Sequence, residues 1–96
     1  MAAPPPQTIV FAIHGPIARD DLPGLCARVC GVLSASGARV ALCRVDGVEP
    51  DAVTVEALAR LQLAARRTGC AVRLRDASPE LRDLIRFMGL DAVLPE

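Results

Sequence analysis

The chain predicts a single α/β domain: a small, mostly parallel β-sheet with about three α-helices alternating with its strands. Three short runs rich in strand-forming residues alternate with three longer segments whose apolar residues recur at helical spacing. Each change of period is punctuated by Gly, Pro, Asp or Ser. Composition sets the kind of core. Of 96 residues 52% are apolar, but the aromatics are two Phe with no Trp or Tyr, so one aliphatic core of Leu, Val, Ile and Ala is expected.

The elements follow in order. Residues 1–7 contain Pro4-Pro5-Pro6, which lack the N–H a sheet ladder needs, and read as a disordered or extended arm preceding a domain over 8–96. Thr8 to Ile13 is a short apolar run of strand formers, closed by Gly15-Pro16. Pro23 suits a first helical turn, and Leu22, Leu25, Cys26, Val29 and Leu33 share one helical face. Gly37 stands where a left-handed cap is expected, which predicts a helix from about Asp21 to Ala35.

Val40 to Cys43 is a near-continuous apolar run, the pattern of a strand buried on both faces, and Asp46-Gly47 is expected to break it. Pro50-Asp51 opens a second helix with Leu58, Leu61 and Ala65 on one side, stopped by Gly69. Glu56 precedes Arg60 by one turn in the favourable orientation. Cys70 to Arg75 alternates as a half-exposed strand does, with Arg73 and Arg75 on its solvated face. Ser78-Pro79-Glu80 starts a third helix as cap, first residue and dipole-complementing acid. Leu81, Leu84, Ile85 and Met88 line one face of it, Gly89 caps it, and Leu90, Val93 and Leu94 form an apolar tail expected to fold back.

Charge and motifs exclude several functions. Eleven basic and eleven acidic residues cancel, and every base is Arg, so the basic excess expected of a nucleic-acid binder or an anionic-membrane binder is missing. The aromatic platforms for stacking single-stranded bases are missing too. No apolar stretch is long enough for direct membrane insertion, and Met1 to Gln7 do not read as a secretory signal, so a cytoplasmic protein is expected.

Cys26, Cys30, Cys43 and Cys70 are read as small hydrophobes in a reducing compartment. Cys26 and Cys30 are one turn apart, but a zinc site would need two more ligands from Cys43, Cys70 or His14, none of them closely paired; no metal or other cofactor is expected. His14 reads as a loop-edge imidazole. Asp20-Asp21 reads as a helix-start acid pair, and no phosphate loop, zinc-protease or nucleophile-elbow motif occurs. The chain is therefore not expected to be an enzyme.

The second half carries a family resemblance. Asp51-Ala52-Val53-Thr54 opens a helix that ends at Gly69, eighteen residues after that Asp; a strand follows, then Ser78-Pro79, then Gly89-Leu90. This ordered set resembles the STAS family of bacterial anti-sigma-factor antagonists, sulfate-transporter tails and accessory subunits of phospholipid-transport ABC systems. The resemblance covers about residues 8 to 95, weakly in the first half, and an extra early strand usual in the family is not evident. It implies a STAS-like domain acting as a non-enzymatic protein-interaction module. The partner it implies is a kinase-like anti-sigma factor or, alternatively, a transporter ATPase. A nucleotide-binding domain is the further alternative, without a Gly-rich loop to support it.

The resemblance also implies a phospho-acceptor Ser straight after the turn's Asp. Here that position is Ala52, which has no hydroxyl; Thr54 is the nearest one, read either as a helix N-cap or as a displaced phosphorylation site. Winding the second helix at about 100° per residue places Leu63 with Ala59 and Ala52 among Glu56, Arg60 and Arg67. A small apolar stripe in a charged face suits a modest interface, although single exposed Leu residues are also common. The expected partner-binding set is Asp51, Ala52, Val53, Thr54, Glu56, Ala59 and Leu63.

Overall fold

In a computed structural model, residues 8–95 are described; the expected N-terminal arm lies outside them. The elements are β1 (Thr8–His14), α1 (Leu22–Ser36), β2 (Val40–Gly47), α2 (Ala52–Arg67), β3 (Ala71–Arg75) and α3 (Pro79–Phe87), with a 3-10 turn over Arg19–Asp21 leading into α1. The strands form one sheet in the order β1-β2-β3, and both pairings are parallel. The predicted α/β alternation is therefore the fold.

The boundaries show which local signals act. Gly37 ends α1 at φ 67°, a conformation that costs glycine little, and its N–H donates to the Leu33 carbonyl. Ser78 accepts from the Leu81 N–H, and Pro79 opens α3, as its Ser-Pro sequence predicts. Leu81 and Ile85 are buried, whereas Met88 lies beyond the last turn of α3 and is 38% exposed. The tail folds back: Leu90 donates to the Ile85 carbonyl, and Leu94 is buried.

Two expectations about β2 change. The strand runs through Arg44, Val45 and Asp46 to Gly47, so Asp46-Gly47 ends the strand from within it. Nor is β2 buried on both faces. Ala41, Cys43 and Val45 are buried, Leu42 is half-buried and Arg44 is exposed. The reason is topological. Strands added in the order 1-2-3 step one way across the sheet, and successive crossovers of the usual hand then lay their helices on the same side. Ile13, Val72 and Leu74 share the covered face, whereas Val10, Arg73 and Arg75 lie on the open one.

The two sheet edges are finished differently. At β3 the buried side chain of Gln62 acts as a fragment of neighbouring strand. Its Oε1 accepts from the Val72 N–H at 2.7 Å, and its Nε2 donates to the Val72 and Val93 carbonyls, each at 2.8 Å. The Leu74 N–H donates to the Pro95 carbonyl at 2.8 Å, so the returning tail covers the next stretch of that edge. Edge backbone that would otherwise need water is thus satisfied internally.

Candidate functional site

Helix α2 starts with a side-chain cap. Asp51, in extended backbone, accepts from the Thr54 N–H at 2.8 Å. This satisfies one of the free donors of the first turn and places a carboxylate at the positive end of the helix. Asp51 and Ala52 are exposed, and Val53 is half-buried.

Thr54 corrects the sequence reading. It is not the cap, a role Asp51 takes, and it does not face solvent. It lies about 200° round the helix from Ala52; the whole residue is buried, and its Oγ1 has no hydrogen-bond partner. A hydroxyl so placed is unavailable to a partner surface or a phosphoryl donor unless the helix start opens. Thr54 therefore leaves the exposed set.

The rest of the α2 stripe is brought together. Leu63 is 59% exposed, Ala59 and Glu56 are half-buried, and Arg60 and Arg67 are exposed. Glu56 holds Arg60 at 3.0 Å along the helix and Arg19 at 3.0 Å across from the 3-10 turn. These ion pairs are partly solvated and orient the long side chains more than they stabilise the fold.

Leu63 does not stand alone. Together with Ala64 it borders a shallow groove whose other wall is the start of α1, formed by Leu22, Pro23 and Cys26, with Arg60 and Arg67 at the rim. Pro23 and Cys26 were not legible as members of this surface, because periodicity within α1 says nothing about which side of α2 it packs on. The arrangement offers a hydrophobic strip bordered by guanidinium donors, suited to docking an apolar side chain while an acidic group engages the rim.

The thiols are consistent with apolar packing. Cys43 is fully buried, and burial pushes its thiol up to about 12. Burial likewise raises Cys26, reinforced by neighbouring Cys30 and opposed by Arg60; Cys70 is also raised by burial. Thiols raised in this way are poor nucleophiles at neutral pH. Cys26 and Cys30 are half-buried rather than fully buried. Among the described residues no group of three or more His, Cys, Asp or Glu side chains could hold a metal ion. His14 is exposed and lies against Gly47 at the end of the sheet. No helix among the described residues is long and apolar enough to cross a membrane.

Comparison with known proteins gives no matching protein-family model and no matching curated protein.

Proposed function

We propose that this chain is a STAS-like protein-binding module of the anti-sigma-factor-antagonist kind, cytoplasmic and non-enzymatic, that docks a partner through the start and outer face of α2. The observation that carries the reading is Leu63, 59% exposed on a helix whose opposite side is packed, set in a groove with Pro23, Cys26 and Ala64 and rimmed by Arg60 and Arg67. The exposed Asp51-Ala52 turn extends that surface towards the helix start, and Glu56 and Ala59 lie between. The ordered markers from Asp51 to Leu90 support the family resemblance, and the arginine rim favours a partner with an acidic contact patch.

Control by phosphate at this turn is not part of the proposal. Ala52 has no hydroxyl and that of Thr54 is buried.

The test is affinity capture from native extract, comparing wild type with an Ala52→Glu, Leu63→Glu double variant, followed by mass spectrometry. Recovery of a kinase-like anti-sigma factor by wild type alone supports the reading. Recovery of a transporter ATPase by wild type alone assigns the same surface to an accessory transport subunit. Equal recovery by both baits moves docking to another face, and recovery by neither removes the main support for an interaction module.

A further inference from the structure

The two edges of the sheet differ in a way the docking surface does not use. The β3 edge is closed by Gln62 and the returning tail. The β1 edge has no neighbouring strand among the described residues. Natural edge strands are usually blunted by charge or proline, but Thr8 to His14 reads Thr-Ile-Val-Phe-Ala-Ile-His and holds neither a carboxylate, an Arg nor a Pro. Beside this edge lies a groove of about 490 Å³ between β1 and the outer flank of α1. Phe11, Ile13, Leu25, Val29 and Val32 line it, and Val32 is 55% exposed. This flank of α1 is distinct from the one that carries Pro23 and Cys26 beside Leu63.

We infer that a second copy of this chain covers this groove, its β1 pairing antiparallel with β1 across a twofold axis to make one continuous six-stranded sheet. Three observations select this occupant. A strand without Asp, Glu, Lys or Arg brings none of these charges against its own copy, and the chain as a whole has a formal net charge of zero. The groove is also lined, besides His14, by a carboxylate and a guanidinium: Asp21 at the N-cap of α1 and Arg28 within that helix, about 10 Å apart along its axis. A twofold axis reverses the second helix, so the acidic end of each groove is turned towards the basic position of the other, a self-complementary arrangement. Finally, the chain's own Pro4-Pro5-Pro6 segment has no N–H to offer the edge, which disqualifies it as an added strand.

The demand on surface is modest. A specific interface needs about 1,000 Å² in total, or about 500 Å² from each copy; that is under a tenth of the 5820 Å² that the chain exposes. Pairing through β1 leaves the Leu63 groove open, so the dimer would present two docking surfaces.

Sedimentation equilibrium of the full chain over a hundredfold dilution series tests this, with hydrogen exchange of the β1 amides measured at both ends of the series. The expected result is a reversible dimer whose β1 amides lose protection on dilution. Val32→Glu, at an exposed position and checked by circular dichroism and Tm for an intact fold, should raise the dissociation constant at least about tenfold. Leu63→Glu should leave it unchanged. Arg28→Asp should weaken the dimer, and adding Asp21→Arg in the same chain should restore it. A chain that stays monomeric throughout overturns the inference. So does a dimer that tolerates Val32→Glu, a dimer whose β1 amides ignore dilution, or a charge-reversed double variant that fails to recover.

Discussion

Gln62 and Val72 are joined by both ends of one side-chain amide: the Val72 N–H donates to Gln62 Oε1 at 2.7 Å, and Gln62 Nε2 donates to the Val72 carbonyl at 2.8 Å. The same Nε2 reaches the Val93 carbonyl in the returning tail. One buried polar residue of α2 thus ties helix, edge strand and C-terminal segment together. Gln62→Leu keeps the bulk but leaves the Val72 N–H and two carbonyls without this partner. It is expected to cost about 2–4 kcal/mol in chemical denaturation. Gln62→Glu should cost more at neutral pH, because a carboxylate cannot donate to the two carbonyls it would face.

Thr54 poses the converse problem. Its Oγ1 is buried with no partner, so the folded state bears the desolvation of a hydroxyl and recovers nothing for it. Thr54→Val, nearly the same shape without the hydroxyl, should stabilise the domain by about 1 kcal/mol. Thr54→Ser, which keeps the hydroxyl and loses a methyl, should destabilise it. Thermal and urea melts of the two variants beside wild type decide the matter, and a neutral or destabilising Thr54→Val would indicate an unseen partner for the hydroxyl.

Alkaline stability should report Cys43. Its folded thiol is held at about 12 against an ordinary value of 9.0. Between those values the unfolded chain has released this proton and the folded chain has not, so stability falls as pH rises. The maximum slope from this residue is about 1.4 kcal/mol per pH unit. Cys43→Ala removes the group, at the cost of a small cavity. Its stability should be lower at pH 7 but decline less steeply above pH 9. Cys26 and Cys70, also raised by burial, contribute a slope of the same sign that both proteins share.

Leu63→Glu should change unfolding free energy by no more than about 0.5 kcal/mol, because a side chain 59% exposed contributes little to folding. Leu61→Glu, one helical face away at a fully buried position, should prevent a stable fold. The contrast in denaturation midpoints establishes which side of α2 is free to bind.

Much of this molecule was legible in its residues. The spacing of Leu22, Val29 and Leu33, the glycine after α1 and the Ser78-Pro79 start each act within a few residues, and each lies where local chemistry puts it. So does the outer stripe of α2, since helical winding alone turns Ala52, Ala59 and Leu63 to one side. Thr54 was misread because a threonine near a helix start suits both cap and first turn. Which one it occupies depends on where the chain leaves extended backbone, and that occurs at Asp51.

What the sequence determined by itself was therefore the set of elements, their order and the surface face of α2, because these depend on backbone propensity and on periodicity along one segment. Only the tertiary structure decided that the two crossover helices, α1 and α2, cover one face of the sheet, which makes β2 half-buried despite its apolar run. It also decided that Pro23 and Cys26 stand beside Leu63, and that Gln62 finishes the β3 edge while β1 has no neighbouring strand on its outer side among the described residues. Those outcomes depend on which segments distant in the chain meet across the crossovers, a relation that no local pattern encodes.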